Sequence, residues 1–150
     1  MFKKISLITM CIVMSSQVHA FKCYITLMKS SCWDKHNVVI NVKDNLSGKK
    51  VVKELKFNAG DPLWLRTTFK CHAKQGLIFS AQFTPVIWEN DKGKTYYTKR
   101  IWFLPKTVQK GVQFWNIPVC YPTNFAEVPT LPSSSEVCTC DDVKSKIPPP

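Results

Sequence analysis

From Phe21 onward the chain follows a two-residue rhythm. Phe21, Cys23, Ile25 and Leu27 alternate with Lys22, Tyr24 and Thr26, the pattern of a half-buried strand. Val38, Ile40 and Val42 alternate with Asn41 and Lys43 until Asp44-Asn45 ends the segment. Ser47-Gly48-Lys49 then turns the chain, and Val51, Leu55 and Phe57 mark the return strand. Asn58-Ala59-Gly60-Asp61-Pro62 is a loop by composition, after which Leu63, Leu65, Thr67 and Phe69 run in register to Cys71. The cleanest alternation sets Leu77, Phe79, Ala81 and Phe83 against Ser80, Gln82 and Thr84. Pro85 ends it, because proline offers a ladder no donor. Glu89 to Lys94 form a hairpin loop between Trp88 and Tyr96, and Tyr97, Ile101 and Phe103 carry the next strand to Pro105. Lys110-Gly111 turns the chain into Val112 to Val119. Seven strands with no helical period predict an all-β, antiparallel, immunoglobulin-like β-sandwich over residues 21–120. A closed barrel meets the same strand count.

Two segments break the rhythm. In residues 1–20, Lys3 and Lys4 precede an apolar run from Ile5 to Met14, and Val18 and Ala20 stand where a signal peptidase reads small or β-branched side chains. The segment reads as a signal peptide cut between Ala20 and Phe21. A retained anchor needs roughly 18 or more continuous apolar residues, and a lipoprotein signal needs a small residue where Met10 precedes Cys11. From Tyr121 the alternation stops, and six of the ten prolines gather between Pro122 and Pro150 around Ser133-Ser134-Ser135. Proline favours extended, solvated backbone, so residues 121–150 read as a Pro-rich arm with a loose Ile147-Pro148-Pro149-Pro150 tail.

Export changes the reading of the cysteines. Removing the first 20 of 150 residues takes Cys11 and leaves six of seven cysteines: Cys23, Cys32, Cys71, Cys120, Cys138 and Cys140. An even set in a secreted chain of this size is a disulfide framework. If the strands alternate in direction, Cys23 at the start of the first and Cys71 after the fourth share one end of the sandwich. Cys32 and Cys120 share the other. A bridge requires Cα atoms within about 7 Å, so Cys23–Cys71 is the first expected bond. The tail cysteines then reach back to Cys32 and Cys120, with a tight Cys138–Cys140 bridge as the competing arrangement. The framework places the protein in the periplasm or outside the cell.

The formal net charge of +11, or +9 once Lys3 and Lys4 leave with the signal, favours anionic neighbours. Arginine occurs only at Arg66 and Arg100, and arginine is the usual residue for bidentate phosphate recognition. The lysines are therefore read as keeping a secreted domain soluble, with no nucleic-acid partner and, after cleavage, no transmembrane segment.

No motif writes a reaction, and the expectation is a protein that is not an enzyme and carries no cofactor or metal. Cys138-Thr139-Cys140 is followed by Asp141 and Asp142, which raise thiol pKa and argue against a redox dithiol. Cys71-His72 and His36 lack the paired spacing of a zinc site. There is no G-x-S-x-G elbow and no glycine-rich phosphate loop. Glu54, Asp61, Glu89, Asp91, Glu127 and Glu136 lie mainly in loops or lysine-rich strands, with no spacing that selects a catalytic pair.

Aromatic residues carry the remaining signal. Of five tryptophans, Trp102 and Trp115 are expected to help fill the core. Trp64 and Trp88 fall out of phase with their strands' apolar faces. Beside Lys92, Lys94, Lys99 and Arg100 they make a candidate binding surface for a protein or a glycan; the equal alternative is that both sheet faces are covered, one of them by the Pro-rich arm.

Phe21-Lys22-Cys23-Tyr24-Ile25-Thr26-Leu27, Ser31-Cys32-Trp33, Trp115-Asn116-Ile117-Pro118-Val119-Cys120-Tyr121-Pro122 and Phe125-Ala126-Glu127-Val128-Pro129 together resemble small periplasmic proteins of Legionella and Coxiella type. Some of these are similar to accessory subunits in the outer-membrane core complex of the Dot/Icm type IVB secretion apparatus. The resemblance spans most of the mature chain and implies an envelope protein with envelope partners, inside a multi-subunit complex. It carries over no functional residue. The expectation is a non-enzymatic envelope protein that works by protein–protein binding; the alternative is a secreted inhibitor or glycan-binding protein that uses the basic, Trp-containing surface.

Overall fold

A computed structural model of the protein describes residues 21–133 and 137–150. The expected signal peptide and Glu136 lie outside the described residues. The described residues form eight strands: β1 (Phe21–Lys29), β2 (Asn37–Asp44), β3 (Leu55–Phe57), β4 (Trp64–Cys71), β5 (Gly76–Thr84), β6 (Tyr96–Tyr97), β7 (Trp102–Phe103) and β8 (Phe114–Tyr121). One short helix, α1 (Asp141–Lys144), follows. Two sheets face each other as an all-β sandwich, with β4-β1-β8 in one and β3-β2-β5-β6 in the other, where β7 also pairs with β5.

The period-two pattern sets what lies between the sheets. Cys23, Ile25 and Leu27 of β1, Val38, Ile40 and Val42 of β2, Leu77 and Phe79 of β5, and Val119 and Tyr121 of β8 are all fully buried. Gly48, at φ +69°, adopts the left-handed turn conformation that glycine alone takes without strain, and the chain reverses there after β2.

Two features depart from the expected strand list. Pairing is antiparallel except between β1 and β8, which run parallel with Lys22 opposite Phe114 and Lys29 opposite Tyr121. The strand read through Tyr97, Ile101 and Phe103 is two short pieces instead of one. Tyr97 sits opposite Ser80 and Trp102 opposite Leu77, so four residues, 98–101, bulge against two, 78–79.

The arm is anchored at both ends of its course. Residues 124–126 cross to the other sheet, where the Ala126 N–H donates to the Tyr97 carbonyl at 2.8 Å and the Lys99 N–H donates to the Asn124 carbonyl at 2.9 Å. Farther on, α1 and Ile147 lie over the outer face of β4-β1-β8. There Val143, Cys140, Cys120 and Met28 form a second small core with Leu63, Trp64 and Ile147. Arg66 ties the tail down by donating to the Pro148 carbonyl at 2.8 Å and to the Thr26 hydroxyl at 2.9 Å. β1 is therefore covered on both faces near its end, where the alternation alone reads as half-buried.

Three disulfides fix this arrangement: Cys23–Cys71, Cys32–Cys138 and Cys120–Cys140. The bond expected from strand direction is present. The tail cysteines reach back to Cys32 and Cys120, and the tight Cys138–Cys140 alternative does not form.

At the end of β1, Lys29 is fully buried and its ammonium donates to the carbonyls of His36 at 3.0 Å, Asn58 at 3.3 Å and Asp34 at 3.4 Å. Burial pulls its pKa down, opposed by the charges of Asp34 and Asp61. Next to it, His36 packs on Trp33 at 4.9 Å, and its buried Nδ1 has no partner among the described residues. Burial, and then the Lys29 cation, hold His36 below the usual histidine range.

Replacing Cys23 and Cys71 together by alanine should lower the free energy of unfolding by about 4 kcal/mol, the chain-entropy cost of a loop spanning 48 residues; urea unfolding of the otherwise oxidised protein measures it. A second expectation concerns pH. An unfolded histidine protonates near 6.5, whereas the fold disfavours the His36 cation. The stabilising contribution is complete above that pH and is lost as pH falls below it. Urea midpoints should decline between about pH 7.5 and about pH 5.5, and His36→Gln should flatten that slope.

Candidate interaction surface

The segment 88–104 gathers most of the residues that sequence reasoning singled out. Trp88 precedes a single 3-10 turn at Glu89–Asp91, and the loop beyond it is held to β5 by Gln82, whose amide donates to the Gly93 carbonyl at 3.2 Å and the Thr95 hydroxyl at 3.0 Å. Lys92, Lys94, Lys99 and Arg100 are all exposed. Two of these cations lie on rings, with the Lys94 ammonium 5.1 Å from the Tyr96 centroid and the Arg100 guanidinium 4.5 Å from that of Trp102. Such stacking orients a cation without neutralising it. Among the described residues the one ion pair joins Lys56 to Glu54, away from this segment.

The pairing with β5 decides which side chains face out. Cross-strand partners share a face, so Tyr96 points inward with Ala81, while Tyr97 points outward with Ser80. Tyr97 is 56% exposed, Phe103 66%, Trp88 61% and Ile101 37%. Tyr97, Ile101 and Phe103, the residues read as carrying this strand, therefore form its outward apolar face, and Tyr96, Trp102 and Leu104 turn toward the core. Gly76 is what lets Phe103 and Ile101 settle on the sheet. A Cβ there would come within 3.0 Å of the Phe103 ring and 3.2 Å of Ile101.

Trp64 belongs to a different environment. It lies half-buried on β4 in the cluster beneath the tail, with the Arg66 guanidinium 5.5 Å from its ring centroid. Trp102 and Trp115 are partly buried and pack on the main core. The outward residues Tyr97, Ile101 and Phe103 are the additions that structure makes to the candidate surface. Both faces of that strand are apolar, so alternation gives no signal for which side is solvent.

The acidic side chains serve turns and loops. Asp44 accepts from the N–H groups of Leu46 and Ser47 and from the Gln75 amide, and these bonds hold its carboxyl below the usual range; it is a turn residue. Asp61 accepts from both nitrogens of Asn58. Among the described residues no group of three His, Cys, Asp or Glu side chains could hold a metal ion, and no helix is long and apolar enough to cross a membrane. No protein family, curated protein or solved structure matches the chain.

The exposed and buried aromatics should separate in a stability measurement. Trp88→Ala and Tyr97→Ala should change unfolding free energy by no more than about 0.5 kcal/mol. Trp33→Ala should cost about 3–5 kcal/mol, because Trp33 is fully buried against Phe83 and Tyr121.

Proposed function

We propose that this protein is a non-enzymatic component of a cell envelope that works by protein–protein binding, as a subunit of a multi-protein complex of the secretion-system kind its sequence resembles. Its docking face is the outward side of β6, β7 and the bulge between them. The observation that carries the reading is the exposure of Tyr97, Ile101 and Phe103 together on a sheet surface beside the exposed Lys99 and Arg100. Large aromatics flanked by cations are the composition of interface centres. Three disulfides support residence in an oxidising compartment, the periplasm or the outside of the cell.

The same cations favour one second reading, an inhibitor or glycan binder that meets an acidic enzyme face or an acidic polysaccharide. Attraction of that kind weakens steeply with ionic strength, so binding to a sulfated glycan column that falls steeply as salt is raised would favour it.

Affinity purification from envelope fractions, followed by mass spectrometry, tests the first reading. The wild-type protein should retrieve a stoichiometric set of envelope proteins. A Tyr97→Ala/Phe103→Ala variant should lose that set while keeping its urea midpoint. Retrieval of the same set by the variant, or of none by the wild type, removes the proposal.

A further inference from the structure

Among the described residues the last strand of the sandwich has no strand partner on one side. β8 lies at the edge of its sheet, where the described strand bonded to it is β1. The direction of its backbone groups follows from its end. The Tyr121 carbonyl accepts from the Ser30 N–H at 2.8 Å, so Tyr121 faces the β1 side. Cys120 faces away: its N–H donates to the Asn124 side chain at 2.6 Å and its carbonyl accepts from the Asn124 N–H at 2.9 Å. Backbone groups alternate sides along a strand. Trp115, Ile117 and Val119 therefore bond to β1, while Phe114, Asn116 and Pro118 turn their backbone groups outward. Pro118 fits this phase, since its missing donor falls on the unpaired side. Asn124 caps Cys120, and among the described residues nothing caps the backbone of Phe114 or Asn116.

Beyond this edge lies a channel. A cleft of about 290 Å³ separates Trp115–Ile117 of β8 from Arg100, Trp102 and Leu104. A second, of about 340 Å³, also bordered by Trp102, continues past Pro118 to Asn124 and Lys144. The crossing of residues 124–126 to β6 closes the far end. Natural edges are usually blunted by charges, prolines, bulges or short length; here the one such device is Pro118, which leaves the outward donors of Phe114 and Asn116 in place. β8 is eight residues long and carries no charged side chain.

We infer that this edge accepts an extended, acidic segment of a partner protein, which adds as a strand along Phe114–Pro118 and closes the side of the sandwich. Main-chain bonds supply affinity in such strand addition, and flanking side chains supply selectivity. Here the flanks are Trp102 between the cations Arg100 and Lys144, against one carboxylate, Asp141. A second copy of this chain is a poor occupant, because it brings its own net charge, +11 with Lys3 and Lys4 and +9 without them, to a cationic channel. The inference rests on the binding role proposed above and assigns it a second contact and a partner chemistry.

The test uses the oxidised, isotope-labelled protein and a capped peptide as long as β8 that alternates Glu and Val. Amide exchange at Phe114 and Asn116, read by NMR, should slow by about tenfold or more at saturating peptide. A Lys-Val peptide, and a Glu-Val peptide with N-methylated alternate amides, should leave exchange unchanged. Asn116→Pro removes the outward donor without touching the β1 ladder and should abolish the protection; Asn116→Ala, which keeps that donor, should retain it. Unchanged exchange at every Glu-Val concentration overturns the inference. So does equal protection by the Lys-Val peptide, or β8 amides already protected in a protein that sediments as a dimer. None of these results bears on co-purification through Tyr97 and Phe103, so the two readings fail separately.

Discussion

Strand β1 holds the molecule together, because it pairs with β4 along one side from Phe21 to Met28 and with β8 along the other from Lys22 to Lys29. Its inward residues Cys23, Ile25 and Leu27 are fully buried. No strand in this sheet pairs with its neighbour in the chain, so the sheet forms only after long loops close. Closure of that kind is entropically costly and slow. The disulfides reduce the cost by restricting the unfolded chain, and each of the three joins β1, its following turn or β8 to a segment distant in sequence.

The end of β1 shows how a buried charge becomes a joint. The chain leaves the sheet there through a 3-10 turn at Ser31–Trp33 and returns as β2. Buried carbonyls need donors, and a lysine ammonium offers three. Lys29 spends them on Asp34 and His36 of the first turn and on Asn58 of the loop after β3. One side chain thus stitches both loops to the centre of the other sheet, and its charge is part of why the neighbouring imidazole stays neutral.

Most of the fold was legible because one face of each long strand is apolar and the other polar. Val38-Ile40-Val42 and Leu77-Phe79-Ala81-Phe83 gave their inward faces directly, and strand direction alone led to Cys23–Cys71. The reading failed where both faces are apolar. From Tyr96 to Leu104 the inward side is chosen by pairing with Ala81 and Leu77, and pairing is not written in a single strand. Trp64 was legible as out of phase, with cover by the Pro-rich arm and exposure both open; the choice between them is made by residues nearly eighty positions later. The parallel partnership of first and last strands leaves no local mark either, although Pro118 hints at an edge.

The disulfide between Cys32 and Cys138 has a mechanical consequence. Tension applied between Phe21 and Pro150 runs down β1 to Cys32, jumps through sulfur to Cys138 and leaves along the final residues. That covalent path crosses only about 25 residues and cannot stretch beyond about 90 Å. Residues 33–137 lie outside that covalent path, so an oxidised chain pulled at those two points is limited to this short extension, and β1 is the one strand of the sandwich that lies on the line of force.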